Sequence, residues 1–395
     1  MTSTSPTPFA PSVESAARGG TWQTAKDLPF EVNWQGADDN PVQLEDGRVL
    51  VAGGQDTNFG SVSTCALFNP VLGTWTTTGP LAEGRSGHTL TRLEDGTVLA
   101  AGGYPAPRTS PAGLATAERF NPVTEKWTSA GTMSVGRTAH SATRLADGRV
   151  LVAGGYADRS GSTGTTASAE IYDPNAKTWT SVDPMNDARS VHQAVLLRDK
   201  RVLVIGGTTD VGSGAYTDLA FCEIFDPATG KWTPTGSTSR PRFDNTATVL
   251  RDGTVLVTGG GWPGWVAGWV FRSGSDWTTE RYNPMTGTWT RDADLSCTRL
   301  YHRAVLLPDG RVLAIGGADA SNMTTGLRSA ALYDPVTKQW QPVAGLATGR
   351  WAFGALALAD GRVLVTGGVD HVDGSSSAWG LTASTEIFTP MEGEQ

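Results

Sequence analysis

A Gly-Gly pair that ends a short apolar run recurs seven times: Gly53-Gly54, Gly102-Gly103, Gly154-Gly155, Gly206-Gly207, Gly259-Gly260, Gly316-Gly317 and Gly367-Gly368. The period is about 52 residues. A unit repeated at about this length buries its apolar face only by stacking on copies of itself. The repeat therefore overrides the prior of roughly 150 residues per domain, which would divide the chain into two or three.

Each pair follows a stretch such as Asp147-Gly148-Arg149-Val150-Leu151-Val152-Ala153. Asp-Gly between two apolar runs predicts a hairpin with a type I′ turn, in which both central residues need φ > 0. Only the fourth copy differs, with Asp199-Lys200. The apolar runs are continuous rather than alternating, as in strands covered on both faces. A second signature follows downstream: Glu170-Ile171-Tyr172-Asp173-Pro174, then Trp179. The same turn and Trp recur around Trp75, Trp127, Trp232, Trp289 and Trp340. This predicts a third strand, a turn, and a fourth strand anchored by a buried Trp. Four antiparallel strands per copy make one propeller blade.

The seventh copy ends at Glu386-Ile387-Phe388-Thr389-Pro390 with no Trp after it, and Thr21-Trp22-Gln23 supplies the missing strand from the other end. The expected fold is all-β: a single seven-bladed propeller over 21–395, its last blade closed by the N-terminal strand around Trp22. Such closure protects edges that would otherwise pair with other chains. Residues 1–20, rich in Ser, Thr, Pro and Ala, read as a disordered leader without the basic start and apolar core of a secretory signal.

Composition agrees. The 49 glycines and 22 prolines oppose long helices. A net charge of −8 gives no footprint for nucleic acid. No apolar run approaches the roughly 18 residues of a membrane helix. Cys65, Cys222 and Cys297 are odd in number and widely spaced, which predicts free thiols and a cytoplasmic location rather than a disulfide scaffold.

These motifs resemble those of the kelch family over about residues 21–390, and the Asp-Gly-Arg-Val-Leu-Val-x-Gly-Gly form is similar to bacterial kelch proteins. The resemblance implies a β-propeller. It leaves function open, because kelch propellers serve as enzymes, lectins and interaction modules alike. The tyrosines, histidines and thioether cysteine that hold copper in galactose oxidase have no matching set here, although Cys297 and Tyr301 lie close in sequence. The Glu-x-x-x-Asp-x-x-x-His iron pattern is absent too.

In a propeller the loops entering the innermost strands converge on the axis. Here they carry Arg-x-x-His: Arg85/His88, Arg137/His140, Arg189/His192 and Arg299/His302. The fifth and seventh copies keep Arg242 and Arg350 but have Asn245 and Phe353 in place of His. Six arginines at one mouth predict a site for a carboxylate or phosphate. The structural alternative pairs each Arg with the third-strand Glu, so that the motif holds adjacent blades around buried, satisfied imidazoles. In the first copy, counting back from the hairpin puts Gly36 at the arginine position and Asp39 at the histidine position.

Departures from a repeat carry function more readily than the repeat itself. Asp38, Asp39, Asp244, Tyr301 and His302 are the candidate proton carriers. Trp34, Asn245, Trp351 and Phe353 join the arginines as candidate ligand contacts. The fifth copy adds a loop with Trp262, Trp265 and Trp269, expected to line or cover an aromatic pocket, with a cap or dimer contact as the structural alternative. His371 between Asp370 and Asp373 is a weak metal signal and reads as a polar loop. Phosphate loops, dinucleotide fingerprints and nucleophile elbows lack their strand-to-helix context, so no cofactor or metal is expected.

The expected function is a cytoplasmic small-molecule enzyme with its site at the mouth. Its chemistry would be metal-independent acid/base work, a cyclisation, isomerisation or hydrolysis in specialised metabolism, on an anionic or aromatic ligand. A protein-interaction module gripping an acidic peptide at an arginine-rich mouth is the alternative, with a sugar-binding propeller as a third.

Overall fold

In each copy the four-residue apolar run becomes a fully buried strand. Val150–Ala153 pairs antiparallel with Ser141–Arg144 on one side and Ala169–Asp173 on the other, and the latter pairs with Thr178–Val182. A computed structural model describes residues 19–33, 41–105, 113–159, 162–212, 215–262, 265–266, 270–271, 274–319, 325–372 and 379–391. Among these residues the protein is all-β and antiparallel, with no helix. Seven of its sheets have four strands. The first strands of consecutive sheets pack side by side from the first sheet to the seventh. Most of the predicted leader lies outside the described residues.

The hairpin differs from the expected type. Gly148 takes a positive φ of 85°, and Asp147 is not among the positive-φ residues. Gly148 N–H donates to Leu145 O and Leu145 N–H to Arg149 O, which is a type I turn followed by one left-handed residue. The aspartate keeps its ordinary conformation because it caps the turn. Its Oδ1 accepts Arg149 N–H at 3.1 Å and its Oδ2 accepts the guanidinium at 2.8 Å. Lys200 fills the left-handed place in the fourth copy at φ 72°.

The repeated Trp is half-buried rather than buried, because the outermost strand shows one face to solvent; Trp232, 8% exposed, goes deepest. Each stacks on the third-strand aromatic of its own sheet, with centroids 4.9–5.1 Å apart. Trp179 also reaches back to the preceding sheet, donating Nε1–H to Ala130 O at 2.9 Å. Trp22 does the same at the seam. Gly20–Thr24 pairs with Thr385–Pro390, Trp22 lies 5.1 Å from Phe388, and its Nε1–H donates to Ala344 O at 2.7 Å.

The Gly-Gly pair exists for the next sheet. A Cβ on Gly53 would stand 2.6 Å from Arg85 O and 2.8 Å from His88 Cε1, so no side chain fits. Gly54 N–H then donates to Arg85 O at 2.9 Å. The same bond joins Gly103, Gly155, Gly207, Gly260 and Gly317 to the arginine carbonyl of the following copy. At the seam, Gly368 N–H donates to Val32 O. Val32, not Gly36, therefore takes the arginine's place in the first copy. The four extra residues fall within 34–40, where counting back from the hairpin could not detect them.

The seam geometry makes a prediction. Trp22→Ala should destabilise by about 2–4 kcal/mol, below the cost of a fully buried Trp, and Trp340→Ala by a similar amount. Denaturant titration of both variants checks this. A near-neutral Trp22→Ala would mean that the N-terminal strand is a peripheral addition.

Candidate functional site

The six arginines are buried, and they run into the sheets instead of lining the mouth. Arg137 is typical. Its Nη1 donates to Gly154 O and Ser168 O, and its Nη2 to Ser168 Oγ and, at 3.0 Å, to Glu170 Oε1. The Glu170 carboxylate also accepts the N–H groups of Ser134 at 2.7 Å and Val135 at 3.2 Å. The pairs Arg85–Glu118, Arg189–Glu223, Arg242–Glu280 and Arg350–Glu386 repeat the arrangement. Since the arginine backbone is bonded to the preceding sheet and its side chain to its own, each residue joins two sheets.

The imidazoles are neutral wedges between sheets. His140 Nε2 bonds Thr89 Oγ1, His192 Nε2 bonds Ser141 Oγ, and His302 Nε2 bonds Thr246 and Thr258 of the fifth sheet. Burial, aided by the neighbouring arginine, lowers His88 and His192 to about 3 and holds His140 and His302 well below their ordinary value. His302, expected as a proton carrier, is thus sealed from solvent and already bonded. Phe353 and Asn245 occupy the same wedge position and are equally buried. Trp351 is fully buried, in an apolar cluster with Tyr301, Leu300, Ala318 and Val369.

Two residues beyond each arginine the backbone turns left-handed, at Gly87, Ala139, Val191, Asp244, Tyr301 and Ala352. Ala139 N–H donates to Gly87 O, Val191 to Ala139 O, Asp244 to Val191 O, and Ala352 to Tyr301 O. These bonds run from the second copy to the fifth and from the sixth to the seventh, a partial backbone hoop where the mouth begins. Asp244 stands on it half-buried, while Tyr301 is 5% exposed and stacks on Trp351 at 5.3 Å. Trp34, Asp38 and Asp39 lie outside the described residues. The fifth-copy loop forms two ribbons, Gly261–Trp262 with Gly274–Ser275 and Trp265–Val266 with Val270–Phe271.

The second to fourth copies contribute further residues to the mouth that the Arg-x-x-His pattern does not point to. Tyr104 and Tyr156 directly follow their Gly pairs and sit beside the hoop, and Tyr216 meets Tyr156 edge-on at 5.8 Å. Burial pushes the Tyr156 hydroxyl up, and Tyr216, Tyr104 and Asp244 add to this by repulsion. Asp210 acts on Tyr216 in the same way. Asp218, two residues along the same strand, is buried, and Oδ2 has no partner among the described residues. Desolvation drives its carboxyl up to about 7 against a bond from Thr208. The extra tyrosines after two of the Gly pairs were the available signal.

His371 is exposed and bonds Asp370 at 2.6 Å. Among the described residues no three His, Cys, Asp or Glu side chains converge as a metal group. The three cysteines are buried and free. No helix is long and apolar enough to cross a membrane.

Comparison with known proteins gives a consistent family. A model of the KLHDC2/KLHL20/DRC7 Kelch-repeats domain matches residues 42–261, more than half of the chain, and a Kelch motif matches 299–347. Kelch-like protein 26 of Danio rerio is 27% identical over 65% of this chain and 41% of its own length. Alpha-scruin of Limulus polyphemus is 24% identical over 66% of this chain and 28% of its own. The chain thus spans less than half the length of these relatives. A fungal alcohol oxidase of the AA5 family, solved in complex with copper, superposes with a TM-score of 0.69 at 19% identity, covering 94% of this chain and 76% of that one; the likeness is one of fold.

Glu170→Ala leaves a buried guanidinium unpaired and should cost about 3–5 kcal/mol. Adding Arg137→Val imitates the apolar Val32–Ala66 contact of the first sheet, so the double variant should be more stable than the single one in a thermal melt. For Asp218 the native carboxyl binds its proton more tightly than the unfolded one, whose ordinary value is 3.8. Its contribution to stability therefore falls as pH rises from about 4 to 7 and is level above that. Asp218→Asn should match the wild type in melting temperature near pH 4 and exceed it at pH 8.

Proposed function

This chain belongs to the kelch-repeat family, and on that premise we propose that it is a closed seven-bladed propeller that docks another protein at its mouth. The observation that carries this reading is the distribution of charge. The repeat arginines are consumed inside the sheets, while Tyr104, Tyr156, Tyr216, Asp210 and Asp244, all partly exposed, gather at the opening. Tyrosine faces and carboxylates suit a Lys- or Arg-bearing segment, through ring–cation contact and charge pairing. An acidic peptide is the poorer partner, because the positive groups meant to grip it are internal. The chain's net charge of −8 favours the same choice.

A second reading is favoured by one residue. A buried carboxyl raised to about 7 by desolvation, two residues along the strand from Tyr216, is suited to general acid/base work on a small molecule. Under that reading Asp218 is the proton carrier, with Asp244 and Tyr301 on the hoop as orienting groups, and no metal takes part.

Labelled hexalysine and hexaglutamate peptides separate the possibilities. Hexalysine should bind the intact protein in fluorescence anisotropy and weaken with salt, and Tyr156→Ala/Tyr216→Ala should loosen it roughly tenfold. Tighter binding of hexaglutamate would overturn the docking of a basic segment.

A further inference from the structure

The Arg–Glu pair is present in five sheets and missing from two, but the two have lost it differently. The first sheet has lost both partners. Val32 stands for the arginine and Ala66 for the glutamate, and they pack in one apolar cluster. The sixth sheet has lost only the acid. Arg299 is 1% exposed, and Ala331 occupies the third-strand position held elsewhere by Glu118, Glu170, Glu223, Glu280 and Glu386.

What remains around Ala331 is a complete set of donors for a carboxylate. Arg299 Nη1 donates to Gly316 O at 2.7 Å and Ser329 O at 2.8 Å, and Nη2 to Ser329 Oγ at 2.9 Å. These match the bonds of Arg137, except that no acid accepts from Nη2 among the described residues. In the second to fourth and seventh sheets the carboxylate also takes two backbone N–H groups, three and two residues before the arginine, as at Ala82 and Glu83. In the sixth sheet those positions are Ser296 and Cys297. Where the other sheets carry a side chain of three carbons and two oxygens, the sixth carries a single methyl, two carbons and two oxygens fewer beside the same guanidinium. Ser296 is exposed, so the approach is from solvent, while Cys297 and Arg299 are buried behind it.

A buried guanidinium without a counter-charge is costly, which is why Arg and Glu vanish together in the first sheet. We propose that the sixth sheet is a binding site for a small free carboxylate anion of the size of formate or acetate. The anion sits over Ala331 between Arg299 Nη2 and the N–H groups of Ser296 and Cys297, with the Ser329 hydroxyl beside it; Cys297 Sγ, 3.9 Å from Ser329 Oγ, lines the rim. It completes, from solution, the ion pair that the other sheets build from their own residues.

Formate is the probe. At constant ionic strength, adding sodium formate should raise the melting midpoint of the full chain saturably, by about 1–2 °C. Ala331→Glu supplies the carboxylate covalently; it should melt higher without formate and show no saturable rise. Crystals grown in formate should hold planar three-atom density within hydrogen-bond reach of Arg299 Nη2. Three results would each overturn the proposal: an equal response of wild type and Ala331→Glu, no saturable response in the wild type, or a single water at that place. If Ala331→Glu fails to fold, Arg299→Val, which imitates the first sheet, takes its part and should likewise lose the formate response.

Discussion

The architecture depends on a buried ion pair that links two sheets at once. The arginine's carbonyl accepts from the second glycine of the preceding copy, and its guanidinium reaches the third strand of its own. Taking these charges out of water is expensive, and the pair stands only because every partner is supplied. Two carbonyls, a hydroxyl and a carboxylate meet the guanidinium in the third sheet, and two N–H groups meet the carboxylate in turn. The glycines, the neutral histidine wedge and the left-handed hoop all follow from how closely that loop must approach the neighbouring sheet. Specificity of sheet order is thereby fixed by polar bonds, while the apolar strands between supply the bulk of the burial.

Most of the fold was legible because a repeat multiplies weak signals. One Asp-Gly or one Trp says little, but six of each in phase with seven Gly-Gly pairs define the strands and turns of every copy. The structural alternative for Arg137 and its counterparts, pairing with the third-strand Glu, was also written in the spacing. What misled was local. The residue pair predicts a type I′ turn, but Asp147 is needed as a cap and so keeps an ordinary φ. Counting back from the hairpin points to Gly36 as the arginine position, but the first copy carries four more residues between Val32 and the hairpin. Expected fully buried, the tryptophans lie on a strand with one open face.

The site was less legible, for a physical reason. Residue type does not reveal which way a side chain runs from a loop. Arginine suggested an anion at the mouth, yet its length lets it turn back into the sheet, where its partners are. Trp351 and Phe353 looked like ligand contacts because they break the pattern, but a wedge position accepts His, Asn or Phe provided that it is filled. Phe353 lies against Gly316 as the histidines lie against Gly53 and Gly102. Tyr104 and Tyr156 are marked in the sequence only by standing directly after their Gly pairs, a signal weaker than the broken arginine and histidine pattern.

With sheet order held by the arginine, glycine and wedge positions, two places per copy are left free to vary: the residue after the Gly pair and the residue on the hoop. The first is Tyr in the second and third copies but Ala318 and Val369 in the sixth and seventh. The second runs from Gly87 through Asp244 to Tyr301. Variation at these places leaves the Arg, Gly-Gly and wedge contacts between sheets intact, so chemistry can accumulate around the axis. Among the described residues, the result is a mouth with Tyr104, Tyr156, Tyr216, Asp210 and Asp244 on the second to fifth copies and an apolar cluster of Leu300, Tyr301, Ala318, Trp351 and Val369 on the sixth and seventh. A repeated scaffold has thereby acquired one distinct side, and a partner bound at the axis would meet different chemistry on the two sets of copies.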